Sequence, residues 1–138
     1  MKRRTVLFAL ILGWTAGLAH AWQGPATVSR NYFAAQEALA ADDLAAAKTA
    51  LGALAKESQG TLKTQAQAAA DAADIAALRK AFKPLSETVI KMELPAGYGV
   101  VFCPMYDNMK GGSWVQKRGT LANPYFGKLM LTCGEFKK

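Results

Sequence analysis

The sequence predicts a mainly α protein, in which a small antiparallel helical bundle is followed by a short C-terminal β-hairpin and turn-rich segment. Two observations predict this fold. Residues 29–94 are rich in Ala, carry Leu at helical spacing and contain no Cys. Residues 95–138 hold short β-prone runs separated by Gly and Pro, together with both Cys residues. A chain of 138 residues supports one small domain.

The first two helices are predicted from caps and apolar spacing. Ser29 is expected to cap a helix that runs to about Ala41. The pair Asp42 and Asp43 is expected to open the second helix. Its apolar face is formed by Leu44, Ala47, Leu51 and Leu54.

Gly60 separates the second helix from a third, predicted over residues 61–81, with a break near Asp71 or Asp74. Pro84 disfavours helix at the preceding residue, so a separate helix is expected over residues 85–94. Because the small Ala side chains let helices approach closely, a compact bundle over residues 22–94 follows.

Three short extended pieces are predicted in residues 95–138. They are residues 98–102, residues 113–116 and residues 129–133, with turns at the Gly and Pro clusters between them.

The N-terminus has the features of a cleaved secretory signal over residues 1–21. Lys2, Arg3 and Arg4 precede an apolar stretch, and Ala19 and Ala21 stand where a signal peptidase reads small residues. We therefore expect a periplasmic protein that begins near Trp22, forms a single domain over residues 22–138 and has no membrane span after cleavage. Cleavage lowers the formal net charge of +7 by three.

Cleavage also removes His20, the one histidine of the chain. Without histidine, Ser-His-Asp and Cys-His nucleophilic sites and the usual zinc sites are excluded. The cysteines lack the C-x-x-C spacing of thiol oxidoreductases, and no carboxylate pair for acid–base catalysis is evident. The remaining Lys and Arg are scattered apart from a local patch at Arg79, Lys80 and Lys83, which disfavours nucleic-acid binding. We expect no enzymatic activity.

Five sulfur-bearing side chains fall in two short segments near the C-terminus. If these segments lie side by side, two thiols and up to three thioethers converge, a ligand set that selects Cu(I) or Ag(I) over hard ions. The candidate ligands are Cys103, Met105, Met109, Met130 and Cys133.

A disulfide between Cys103 and Cys133 is the alternative, because cysteine pairs in exported domains are commonly oxidised. Such a bond would close a loop worth about 3–4 kcal/mol by the chain-entropy estimate. Since oxidised cysteines cannot act as thiolate ligands, the two interpretations compete for the same atoms. The alternative function is a disulfide-stapled module that recognises another envelope protein through an aromatic patch of Trp114, Tyr125 and Phe126. These rings also suit packing of the C-terminal segment on the helices, because that segment needs apolar anchors there.

The ordered C-terminal motifs resemble those of an uncharacterised family of exported bacterial domains. The matching residues are Cys103-Pro104-Met105, Gly112 and Trp114, Asn123-Pro124-Tyr125-Phe126-Gly127, Met130, and Cys133-Gly134. The upstream helices look similar too, at Tyr32-Phe33 and at Phe82 and Leu85-Ser86. Members of that family occur alone or fused to periplasmic adaptors of Cus-type heavy-metal efflux systems. The resemblance implies handling of copper or silver, with an efflux adaptor or another envelope protein as partner and Cys103, Met105, Met130 and Cys133 as ligands.

Overall fold

Four consecutive helices form the first part of the computed structural model, which describes residues 25–138 and side chains from residue 30 onward. The helices are α1 (Pro25–Ala40), α2 (Leu44–Glu57), α3 (Gly60–Ala70) and α4 (Ile75–Ile90). Short turns join them, and each helix contacts the next, so neighbours run antiparallel. The predicted helical bundle is confirmed. The predicted signal, with His20 and Trp22, lies outside the described residues.

Aspartate caps set two helix starts, one at the predicted Asp42-Asp43 pair and one where only a break in the third helix was predicted. The Asp43 carboxylate accepts a hydrogen bond from the backbone N–H of Ala46 at 2.9 Å and opens α2. Asp74 caps α4 in the same way, through the N–H of Ala77 at 2.8 Å. The predicted break near these aspartates is confirmed, because α3 ends before Asp71.

Two predicted helix limits were wrong. Helix α1 begins at Pro25 and not after Ser29, and proline suits a first helical position because its missing N–H would have no partner there. Helix α4 continues through Pro84 to Ile90. Pro84 lies on the exposed side of α4, whereas Phe82 and Leu85 are buried. The packing of the buried face therefore outweighs the lost backbone hydrogen bond, about 3 kcal/mol for an interior proline.

A small antiparallel sheet follows the bundle, with strand order β2-β1-β3. Its strands are β1 (Tyr98–Cys103), β2 (Gly112–Lys117) and β3 (Glu135–Phe136). The first two predicted strands are confirmed. The third prediction was wrong, because Gly127–Met130 is a 3₁₀ helix and the third strand begins later, at Glu135. Gly127 has a φ of 58°, which turns the chain out of an extended path.

Bundle and sheet share one hydrophobic core, in which α1 and α4 pack against β2. The Tyr32 ring stacks on Phe82 with centroids 5.2 Å apart. The Tyr32 hydroxyl lies 2.8 Å from the Ser86 hydroxyl and accepts the N–H of Val115 at 3.2 Å. One buried phenol thus ties α1 to α4 and to β2, and burial raises its pKa to about 12.

Candidate functional site

The strand register brings the two cysteines together. Cys103 is the last residue of β1, is fully buried and stands opposite Gly112 of β2. On the other side of β1, Val101 pairs with Phe136 and Phe102 with Glu135. The next position of this antiparallel register sets Gly134 opposite Cys103, so Cys133 lies beside Cys103. Strand pairing thus brings together two cysteines that are thirty residues apart in the sequence.

Both cysteines are free thiols. They do not lie at disulfide distance, so the predicted Cys103–Cys133 disulfide is not present in the structure. The two thiols are neighbours nonetheless, because they interact through a hydrogen bond and through charge. Burial first, and then these two interactions with Cys103, raise the pKa of the Cys133 thiol to about 11. The backbone N–H of Met105 has the opposite effect, because it donates to the Cys133 sulfur and favours the thiolate.

The three candidate thioethers differ in how they relate to this thiol pair. Met105 is 44% exposed, and its backbone contacts the Cys133 sulfur. Met130 is half-buried, and its carbonyl accepts the N–H of Cys133 at 3.0 Å. Met109 is 65% exposed and ends a turn in which Asp107, Asn108 and Met109 all have positive φ. The structure therefore brings Met105 and Met130 next to the thiols through the backbone and leaves Met109 in solvent.

Asn123 holds the chain around Cys133 and was predicted only as a turn residue. It is fully buried, and its side-chain N–H donates to the carbonyl of Cys133 at 2.8 Å. Its side-chain oxygen accepts from the N–H groups of Tyr125 and Phe126 at 2.8 and 3.2 Å. Its backbone N–H donates to the carbonyl of Leu131. The Asn123 side chain thus holds the segment that positions Cys133 through both its amide nitrogen and its amide oxygen.

Trp114 and Tyr125 are core residues, so the predicted aromatic docking patch was wrong for both of them. Trp114 is fully buried, and its indole N–H donates to Gln116 at 3.0 Å. Tyr125 is 2% exposed and donates its hydroxyl to the carbonyl of Ser113 at 2.6 Å. Phe126 is half-buried and meets the edge of the Tyr106 ring. These rings anchor the loop segment to the helices because the small sheet needs apolar contacts there.

Arg79 joins the same loop segment to the bundle, a role that the sequence did not indicate. Its guanidinium donates to the carbonyls of Pro124 at 2.8 Å and Leu39 at 2.9 Å. It also pairs with the carboxylate of Asp42 at 2.6 Å. Asp42 in turn accepts the N–H of Lys128 at 3.1 Å. These hydrogen bonds, with Arg79 first, hold the pKa of Asp42 below its usual range.

Two features are absent from residues 25–138. No group of three or more His, Cys, Asp or Glu side chains comes together there as a metal-binding cluster. None of the helices in that part of the chain is both long and apolar enough to cross a membrane.

Comparison with known protein families gives one match. Residues 28–95 match the model of a family described as a protein of unknown function, DUF3347. The matched range covers most of α1 and all of α2, α3 and α4, and ends before β1, so both cysteines lie beyond it. No curated protein matches the chain, and no solved structure does. The expected likeness to an uncharacterised family is thus confirmed for the helical part, whereas export and the efflux adaptor stay predictions.

Proposed function

We propose that the chain is a periplasmic module that binds a soft monovalent ion, Cu(I) or Ag(I), through the thiolates of Cys103 and Cys133. The observation that supports this most is the pair of unbonded thiols that strand pairing holds side by side. Met105 supplies the next ligand, because its backbone already contacts the Cys133 sulfur and its thioether is partly exposed. Met130 is the further candidate from the same segment.

The chemistry of these donors favours soft ions. Thiolate and thioether sulfur bind Cu(I) and Ag(I) in low coordination numbers and bind Mg²⁺ or Ca²⁺ poorly. The Met105 N–H that points at the Cys133 sulfur stabilises negative charge on it, as outer hydrogen bonds to metal ligands commonly do. Because Cys103 is buried and Cys133 is half-buried, the ion would be shielded on the core side and reached from the loop side.

Ion binding must displace protons in this proposal. The pKa of Cys133 is raised to about 11, so this thiol is protonated at neutral pH and becomes a ligand only when the ion takes the place of its proton. The apparent affinity for Cu(I) should therefore rise with pH between about 6 and 8.

The cellular part of the proposal is that the chain buffers the ion or passes it to a heavy-metal efflux system. Its support is the signal-like N-terminus and the resemblance of the C-terminal motifs to domains that accompany Cus-type adaptors. The match of residues 28–95 to a family of unknown function is compatible with such a role and does not define it.

A competition titration tests the binding step. The chain from residue 22 onward, fully reduced, would compete anaerobically with a chromophoric Cu(I) chelator. We expect Cys133→Ser to lower the Cu(I) affinity at least about 100-fold and Met105→Leu about tenfold, because each removes a sulfur ligand. Met109→Leu is the matched control, since it removes a thioether from the most exposed of the three candidate methionines. Wild-type affinity in the Cys133→Ser variant would refute the proposal.

A further inference from the structure

Five cationic side chains from three separate segments lie around the carboxylates of Asp42 and Asp107. Asp107 is two residues after Met105, whose backbone contacts the Cys133 sulfur. Arg79, Lys80 and Lys83 lie on α4, Lys110 follows the turn that ends at Met109, and Lys128 lies in the 3₁₀ helix Gly127–Met130. The positive charges of Lys83, Lys110 and Lys80 interact with the carboxylate of Asp107. Those of Arg79 and Lys128 interact with the carboxylate of Asp42. The patch that the sequence showed on α4 is thus extended by segments distant in sequence. We call these five residues the basic face.

The carboxylates of this region pair with two residues of the basic face and leave its other three without an ion-pair partner among the described residues. Asp42 is occupied by Arg79 at 2.6 Å and Asp107 by Lys83 at 2.7 Å. Glu87 lies one turn beyond Lys83 on α4, at the margin of the region. Within the described residues no ion pair engages Lys80, Lys110 or Lys128, and all three are exposed. Gathering unpaired like charges costs free energy, which a partner of opposite charge recovers on binding.

Exposed apolar side chains accompany the unpaired lysines. Met109, 65% exposed, precedes Lys110, and Leu129, 82% exposed, follows Lys128. The two segments that carry these side chains are neighbours, because the Tyr106 ring stacks on Tyr125 at 4.3 Å and meets the edge of Phe126 at 6.0 Å. Exposed apolar side chains bordered by charged and polar residues are typical of surfaces that bind other proteins.

We infer that the basic face, with Met109 and Leu129, docks an acidic segment of a partner protein beside the thiol pair. The inference rests on the proposed function in that the docked segment would be the donor or acceptor of the ion. Charge complementarity would bring such a segment to the loop side of Cys133 and orient it there. A partner that is basic or neutral would gain nothing from Lys80, Lys110 and Lys128.

Peptide binding measured without metal tests this inference separately from the proposed function. The probes are two fluorescein-labelled synthetic octapeptides with the same two Met residues, one carrying Asp and Glu at its other positions and one carrying Lys. Fluorescence anisotropy would follow each with the metal-free chain from residue 22 onward. We expect the acidic peptide to bind and its Kd to rise at least about tenfold between 20 and 200 mM salt, as screening predicts.

A matched pair of triple variants locates the binding. We expect Lys80→Gln, Lys110→Gln and Lys128→Gln together to weaken binding of the acidic peptide about tenfold or more. The control changes the three exposed lysines Lys56, Lys63 and Lys91 to Gln, with the same change in net charge at the opposite end of the antiparallel bundle. We expect it to weaken binding less than about twofold.

Each other outcome overturns the inference. Equal weakening in both triple variants would mean that net charge alone attracts the peptide, and absence of binding to the acidic peptide would mean that the face docks no such segment. A third arm uses vesicles of phosphatidylcholine with 30% phosphatidylglycerol in a sedimentation assay. Vesicle binding that needs Lys80, Lys110 and Lys128, with no binding of the acidic peptide, would assign the face to an anionic lipid surface. Cu(I) affinity, measured independently, is expected to be unchanged in both triple variants.

Discussion

The side-chain amide of Asn123 donates a 2.8 Å hydrogen bond to the backbone carbonyl of Cys133. This bond connects the turn after β2 to the residue that carries the accessible thiol of the candidate site. Asn123 is fully buried, so water cannot replace the bond if it is lost. The position of the Cys133 thiol therefore depends on an amide ten residues earlier in the chain.

Replacing Asn123 tests this dependence. We expect Asn123→Ala to lower the free energy of unfolding by about 2–3 kcal/mol, because it leaves buried backbone groups of Cys133 and Tyr125 without partners. Urea denaturation would measure it. The control is Gln59→Ala, which removes an exposed amide that makes no capping hydrogen bond and should cost less than about 0.5 kcal/mol. Equal stability of the two variants would contradict the role given to Asn123.

Two glycines with the same backbone angle separate conformational strain from packing at the site. Gly134 and Gly119 both have a φ of 135°. A Cβ at Gly134 would lie 2.9 Å from the Trp114 ring and 3.0 Å from Val101, whereas one at Gly119 would meet nothing within 4 Å. Gly134→Ala should therefore destabilise the fold by about 1–3 kcal/mol more than Gly119→Ala. Thermal unfolding followed by circular dichroism would measure the difference, and equal losses would refute the close packing of Gly134 on Trp114.

The raised pKa of Cys133 predicts slow alkylation at neutral pH. With a pKa of about 11, only about one thiol in a thousand is ionised at pH 8. The reaction of Cys133 with iodoacetamide should therefore be much slower than that of N-acetylcysteine at pH 8 and should accelerate up to about pH 11. Peptide mass spectrometry after timed quenching would assign the modified residue. Alkylation at pH 8 as fast as that of the free thiol would contradict the buried, hydrogen-bonded thiol pair.

The raised pKa of Cys133 also predicts that the protein loses stability at alkaline pH. Because folding raises the pKa of Cys133 from 9.0 to about 11, the protonated thiol contributes stability below pH 9 that is lost as the pH rises towards 11. Cys133→Ser has no such group, so its unfolding free energy should fall less between pH 8 and pH 10.5 than that of the wild type. Urea titrations at the two pH values would compare them, and parallel losses would count against the shift.

The ion pair of Asp42 with Arg79 predicts that the free energy of unfolding falls at acidic pH. Folding lowers the pKa of Asp42, chiefly through the hydrogen bond from Arg79, so its contribution is present above about pH 4 and is lost as the pH falls through the lowered value. Asp42→Asn keeps a residue that tolerates the φ of 62°. We expect this variant to be less stable than the wild type at pH 6 and to approach it at pH 2.5. A gap in urea midpoint that stays constant with pH would contradict the assignment.

Local signals predicted the helical part of the fold well. The cap of α2 at Asp43, the helix break near Asp74 and the Leu spacing of α2 depend on residues close in sequence, so the sequence alone indicates them. The predicted helix end before Pro84 was wrong, because the long-range packing of Phe82 and Leu85 decides whether α4 continues. The 3₁₀ helix at Gly127–Met130 was misread as a strand because the Asn123 contacts that shape it are formed only in the folded chain.

The sequence predicted which sulfur-bearing residues form the candidate site, but it did not predict how they are placed relative to one another. The sequence indicated that five sulfur atoms fall in two segments, but the pairing of β3 with β1, which sets Cys133 beside Cys103, is a long-range feature. The sequence left two interpretations for Trp114 and Tyr125, packing on the helices and a docking patch, because an aromatic run does not reveal which face is covered, and their burial decides for packing. The basic face was visible only in its α4 part, since Lys110 and Lys128 join it through the tertiary fold.

Native mass spectrometry of the chain tests the central claim most directly. The protein would be purified anaerobically from periplasm and measured before and after addition of one equivalent of Cu(I). The proposed function predicts a fully reduced chain that takes up one Cu(I), loses protons as it does so and keeps the ion against a competing chelator. A chain lighter by two hydrogens that takes up no copper would contradict it, because the cysteines would then be joined in a disulfide.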